Sequence, residues 1–182
     1  MYKRIINVLL VTCFALPSWA GEVHGYISDI KFTKWFEVET WLIAESYEND
    51  TIWTIQLRGR DINDKTLLLI KTIDDKNLEL KSFNCETRYE TDSLTTSPLT
   101  GKLIDHQHVE YLVSYSITSV ALHYFIDHGI SKIRVGTETR WEEKIWQRNE
   151  WGKNLTETYK KIIKKMSPDY VPPKKPSIRD GF

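Results

Sequence analysis

From Glu22 to Phe83 the pattern of hydrophobic and polar positions is strand-like. Val23, Gly25 and Ile27 alternate toward Ile30 and Phe32, and Phe36, Val38, Thr40 and Leu42 lie on one face of a run whose other face is Trp35, Glu37, Glu39 and Trp41. Period two places alternate side chains on opposite faces of a strand, so this stretch predicts β-structure with one face buried. Trp53, Ile55 and Leu57 keep the same period, and Leu67–Ile70 and Leu78, Leu80 and Phe83 follow. Glu48-Asn49-Asp50, Gly59-Arg60-Asp61 with Asn63-Asp64, and Asp74-Asp75-Lys76-Asn77 separate these runs with turn-forming residues. The spacing predicts an antiparallel meander. Asn84 to Gly101 is polar and rich in Thr and Ser, and it predicts a long surface loop.

Asp105 to His128 carries two periods. As a strand, Val109, Tyr111, Val113, Tyr115 and Ile117 alternate; as a helix, Val109, Leu112, Val113, Ile117, Val120, Ala121, Tyr124 and Phe125 form one stripe. The helical stripe is longer, with Asp105 as an N-cap and Gly129 in place for a left-handed C′ residue, so a helix from about His106 to His128 is expected. Ile130, Ile133 and Val135 then read as a strand ended by Gly136-Thr137. Arg140 to Trp151 fits neither period. Asn154-Leu-Thr-Glu157 resembles a capping box opening a second helix, with Leu155, Tyr159, Ile162, Ile163 and Met166 on one face and Lys160, Lys161, Lys164 and Lys165 on the other. Pro168 stops it, and residues 167–182 form a Pro/Lys-rich tail. The expected fold is α+β: an antiparallel sheet or small, partly open OB-like barrel over residues 21–166, packed by one long helix, with a C-terminal amphipathic helix.

Residues 1–20 have the layout of a signal peptide. Lys3 and Arg4 precede an apolar run from Ile5 to Leu16 that is too short to span a bilayer, and Ser18 and Ala20 occupy the −3 and −1 positions of a cleavage site. Cleavage after Ala20 is expected, giving an exported protein, periplasmic or secreted. Cys13 is no lipidation site, because Thr12 stands where a smaller residue is wanted. Its removal leaves Cys85 alone, so an intrachain disulfide is excluded and stability falls to the core. The chain balances 25 basic against 25 acidic residues, which gives no global electrostatic case for nucleic acid. Beyond residue 20 no apolar stretch reaches the roughly 18 residues of a transmembrane helix.

Chemistry-bearing motifs are sparse. His106, His108 and Glu110 form an H-x-H-x-E string that projects three donors from one face of a strand; on a helix the two histidines diverge by about 200° and share no ion. With the helix expected, His106 and His108 are weak metal candidates, and no cofactor is expected. His123 and Asp127 stand four apart, at helical pairing distance, but no nucleophile signature accompanies them. Phosphate-binding glycine loops are absent. The tryptophans are the oddest feature. Trp35 and Trp41 share a face with Glu37 and Glu39, and Trp141, Trp146 and Trp151 recur among charges. Aromatic rings interleaved with polar groups suit glycan or protein recognition, because a flat ring gives stacking area while neighbours hydrogen-bond.

Ala121-Leu-His-Tyr-Phe-Ile-Asp-His-Gly129, followed by Ile133-Arg-Val135 and Trp141, resembles the helix, glycine, strand, turn and tryptophan run in the binding subunits of subtilase-type AB5 toxins. Gly21 to Phe32, where Gly25 precedes an alternating strand, is similar in layout. The resemblance implies a small OB-like barrel that binds glycans as a homo-oligomer without catalysis. This chain departs from that pattern by lacking the paired cysteines and by its added C-terminal region. Together these features lead to the expectation of an exported, non-enzymatic module that binds a glycan or protein through Trp35, Trp41, Trp141, Trp146 and Trp151. An inhibitor or immunity protein that blocks a cell-wall hydrolase is the alternative. A His-dependent hydrolase is the third reading.

Overall fold

A computed structural model describes residues 21–33, 36–47, 50–96, 99–137 and 139–167, apart from the side chains at 47, 91–96 and 103–106. The signal peptide expected at 1–20, Trp35, the turn residues Glu48 and Asn49, and the tail from Pro168 lie outside the described residues. Along the chain run β1 (Glu22–Lys31), β2 (Glu37–Tyr47), β3 (Asp50–Gly59), β4 (Leu67–Thr72), β5 (Asn77–Thr96), β6 (Leu103–Ile117), α1 (Ser119–His128), β7 (Ile130–Gly136), β8 (Trp141–Ile145) and α2 (Glu150–Met166). The fold is α+β.

The eight strands form one antiparallel sheet in the order β1-β2-β3-β6-β5-β4-β7-β8. β5 joins its two halves: residues 77–81 pair with β4, and the rest pairs with β6 after a bulge between Ser82 and Asn84. The sheet curls so that α2 packs against strands from both halves, β1 and β2 on one side and β7 on the other. Inward residues of the strands make the core. Val38, Leu42, Ile55, Leu57, Val113, Tyr115, Ile70 and Ile133 are buried against Leu122 and Phe125 of α1 and Trp151, Leu155 and Ile162 of α2. The Tyr115 hydroxyl donates to the Thr66 carbonyl at 3.0 Å, so this buried ring keeps its polar end satisfied. Ile27 and Ile30 both point inward although three residues apart, because β1 carries a bulge between Tyr26 and Ser28 that shifts the alternation.

Four expectations are corrected. The single helix from His106 to His128 is a strand followed by a shorter helix. Val113, Tyr115 and Ile117 follow the two-residue period into the core, β6 pairs with β3 on one side and β5 on the other, and the helical period holds only from Ser119. A helix through 106–117 would strand the ladder groups of both neighbours, and its β-branched and aromatic residues favour the sheet. The N-cap is Thr118 rather than Asp105, its side chain accepting from the Ala121 N–H at 3.2 Å. Gly129 ends the helix at φ 73°, as its position suggested.

The loop expected over Asn84 to Gly101 is mostly the far part of β5, and its Thr-rich composition suits a strand. The second helix begins at Glu150, one turn before the proposed box at Asn154. Asn149, at φ 52°, leads into it, and its Oδ1 accepts from the Ile130 N–H at 2.7 Å. The unassigned stretch after Arg140 is β8 and the first turn of α2.

Gly25 sets how closely α2 lies on β1. A Cβ there would meet Thr158 Cγ2 at 2.5 Å and Ile162 Cδ1 at 3.4 Å. The Thr158 hydroxyl donates to the Tyr26 carbonyl at 2.9 Å. Gly25→Ala is therefore expected to cost roughly 1–3 kcal/mol in urea unfolding, the range for overpacking. Thr158→Ser, which keeps the hydroxyl and removes the methyl, is expected to recover most of that loss in the double variant.

Candidate functional site

The outward faces of β2, β3, β5 and β6 bring together what the sequence spread over seventy positions. On β2, Glu37, Glu39 and Trp41 point away from the buried Val38, Thr40 and Leu42, as the alternation predicts. On β3, Arg58 lies directly across from Glu39, and Gln56 across from Trp41. Gln56 in turn faces Ser114 of β6. Beyond them Arg88 opposes Glu110 and Glu90 opposes His108 between β5 and β6.

Trp41 is the fixed point of this face. Its indole N–H donates to Glu39 Oε2 at 3.1 Å, and the Arg58 guanidinium stacks over its ring at 4.4 Å. Tyr26 approaches edge-on with ring centroids 5.2 Å apart, and His24 lies at 6.3 Å. Arg58 Nε donates to Gln56 Oε1 at 3.0 Å, and Gln56 Nε2 to Ser114 Oγ at 3.2 Å. The ring is therefore held half-buried in one orientation, which lowers the entropy lost when a ligand stacks on it.

Beside the ring lies a cleft of about 500 Å³ between Asp29 of β1, Glu37 and Glu39, the Arg58 to Asp61 turn, and Glu90, His108 and Glu110. Six of its lining residues are acidic against two arginines, so it favours a ligand with cationic or hydrogen-donating groups. His108 accepts from Arg60 at Nδ1, 3.0 Å, since a guanidinium only donates; its Nε2 proton then faces Glu90 at 4.0 Å. Burial first, then the Glu90 and Glu39 carboxylates, push the Glu110 carboxyl above the usual range against the opposing pull of Arg58 and Arg88.

The other sequence candidates separate. Trp141 is half exposed at the far end of β8 under the Arg134 guanidinium, 3.9 Å from its ring. Trp146 and Trp151 pack against each other at 6.3 Å, and Trp151 is 1% exposed. The side chain of His106 lies outside the description. His108 and Glu110 share a strand, the geometry under which a metal site was conceivable, but His108 spends Nδ1 on Arg60. No group of three or more His, Cys, Asp or Glu among the described residues is placed to hold a metal ion. His123 does not need Asp127: its Nδ1 donates to the Ser119 carbonyl at 2.7 Å and its Nε2 accepts from the Tyr159 hydroxyl at 2.9 Å, tying α1 to α2. Cys85 is half-buried and free, and burial, followed by Asp64 and Glu86, pushes its thiol up, away from reactivity.

Sequence reading missed Arg58, Gln56 and Tyr26. Their signal was present in the outward alternation of β1 and β3, but only the strand register puts them beside Trp41. No protein-family model, curated protein or solved structure matches the chain.

The raised Glu110 carboxyl has a pH consequence. Its folded state prefers the protonated form, so the stabilisation it supplies is complete below the unfolded carboxylate value and is lost as pH rises through the folded one. Glu110→Gln removes the ionised group, and at pH 7 it is expected to raise stability by roughly 0.5 kcal/mol, solvent screening keeping the effect small. The gain should vanish near pH 4, as read by thermal unfolding at both pH values.

Proposed function

We propose that the protein is an exported, non-enzymatic binding module whose ligand face is the Trp41 platform with its acidic cleft. The observation that carries this reading is the immobilised Trp41 ring, stacked by Arg58 and bonded to Glu39 at the rim of a polar cleft. Such a ring presents a π-face to sugar carbons or to an apolar side chain, while Arg58, Arg60 and the carboxylates address hydroxyl or ammonium groups. A glycan or a basic protein segment has this chemistry. The likeness to AB5 binding subunits points the same way, toward an OB-like barrel that presents strand faces to its ligand and works as a homo-oligomer. Export rests on residues 1–20. Among the described residues no helix is long and apolar enough to cross a membrane.

A second reading, the hydrolase inhibitor, is favoured by one feature of the fold. β6 pairs with β3 only as far as Tyr111, so the ribbon of β5 and β6 beyond it pairs only with itself. Tyr89 on that ribbon is 69% exposed, and Leu99 in its connection is 94% exposed.

Glycan arrays and pull-downs from envelope extracts separate the two. Trp41→Ala is expected to weaken ligand binding at least tenfold with unfolding unchanged to within about 1 kcal/mol. Trp141→Ala should leave binding intact. Loss of a captured hydrolase in Tyr89→Ala, Leu99→Ala, with Trp41→Ala harmless, would favour the inhibitor. Turnover in a substrate screen with no ligand in either assay would defeat both. Intact mass of native material is expected to begin at Gly21.

A further inference from the structure

Among the described residues the sheet has two free edges, β1 and β8, and a cleft of about 560 Å³ runs between them. Its wall on the β1 side is every residue from Tyr26 to Lys31 in succession. Successive strand residues point to opposite faces, so a space touching all six lies along the backbone edge and not on a face. Lys144 and Trp146, which flank the last residue of β8, and Glu150, Trp151 and Asn154 of α2 complete it.

The direction of the edge groups follows from the ladder. Opposed residues of an antiparallel pair alternately exchange both hydrogen bonds and none. The Phe32 N–H donates to the Phe36 carbonyl at 3.1 Å, so in that register Ile30 bonds to β2 while Lys31 and Asp29 turn their N–H and C=O groups outward. The same rule applied from the bond between the Trp146 N–H and the Ser131 carbonyl, 2.8 Å, turns the backbone of Ile145 outward from β8. The outward Tyr26 carbonyl is already taken by Thr158, and the Tyr26 phenol oxygen faces the Asp29 N–H. Among the described residues the Asp29 carbonyl and both groups of Lys31 have no partner along this wall, and on β8 the outward groups of Ile145, which sits between the lining residues Lys144 and Trp146, have none.

Trp151 supplies the second observation. This wall of the cleft is 1% exposed, and its indole N–H is buried with no hydrogen-bond partner among the described residues. An unmet buried donor is costly, and native structures hold few.

We infer that the cleft between β1 and β8 receives an extended peptide segment of a partner protein, which adds a strand to the β1 edge through Asp29 and Lys31 and gives the Trp151 indole an acceptor. The edge accommodates about five or six residues at roughly 3.3 Å each. Pairing through the main chain supplies affinity, and the Trp146 and Trp151 rings select alternate side chains. β1 and β8 run in opposite directions, so one inserted strand is antiparallel to one edge and parallel to the other. The inference does not rest on the Trp41 platform, although Asp29 lines both clefts.

The test pans a random heptapeptide phage library on the immobilised protein and measures the selected peptide by fluorescence anisotropy. Expected results are enrichment, at least tenfold weaker binding when alternate peptide amides are N-methylated, and a similar loss in Lys31→Pro. That variant removes an outward N–H that the ladder does not use, so its fold should persist; Ile145→Pro repeats the test on the other edge. Trp151→Phe should weaken binding several-fold, Trp41→Ala should leave it unchanged, and amide exchange at Lys31 and Ile145 should slow on binding. Failure to enrich, or affinity indifferent to N-methylation and to Lys31→Pro, overturns the inference. So does loss confined to Trp41→Ala, which would move the peptide to the platform. A dimer in sedimentation velocity that Lys31→Pro dissolves would overturn it too, by showing that the edge pairs with a second copy.

Discussion

The structure depends on the seating of α2 across the open side of a curled sheet. Eight strands that do not close into a barrel leave an apolar interior exposed along one side, and only a helix with a matching stripe can cover it. Trp151, Leu155, Thr158 and Ile162 stand at helical spacing and are buried. The approach is close because β1 has glycine at position 25, where any side chain would collide with Thr158. The same threonine also bonds an edge carbonyl of β1, so one residue of α2 both packs the core and caps the sheet margin. Among the described residues Cys85 is a free thiol, and this contact with the core beneath it holds the sheet together.

That seating decides what is left for recognition. A helix placed inside the curl keeps the opposite faces of β2, β3, β5 and β6 free to carry charge, and the result is a cluster of Glu39, Arg58, Glu110 and Arg88, with Trp41 against Glu39 and Arg58. It also leaves the margins of β1 and β8 apart, because the first turn of α2 stands between them. A polar face and an unpaired margin therefore follow from one packing event. His108 and His123, the described histidines that the chemistry singled out, both spend ring nitrogens on holding the fold together.

Much of the sheet was legible because burial on one face imposes a period of two, which β2 shows at Val38, Thr40 and Leu42 and β3 at Trp53, Ile55 and Leu57. The failures came where two periods overlap or where polar residues form strands. Ile117 belongs to the strand stripe of β6, and the helical stripe of α1 begins only residues later, so the pattern through 105–128 read as one helix. Thr118 between them was the punctuation that separates the two. The outer part of β5 read as a loop because its described residues Glu86–Glu90 are exposed on both faces and have no buried side to write a pattern.

Of the candidate site, Trp41 with Glu37 and Glu39 was readable from alternation alone. The helical face of α2 was readable too, since a buried stripe needs hydrophobic spacing whatever it packs against. Local period and composition determined which residues face inward, because burial acts on each element separately. Tertiary structure alone decided that Arg58 and Gln56 meet Trp41, that Trp141, Trp146 and Trp151 do not join Trp41 in one surface, and that two strand margins flank one cleft. Those facts depend on register and on the curl of the sheet, which are set by contacts between residues far apart in the chain, and no single segment encodes them.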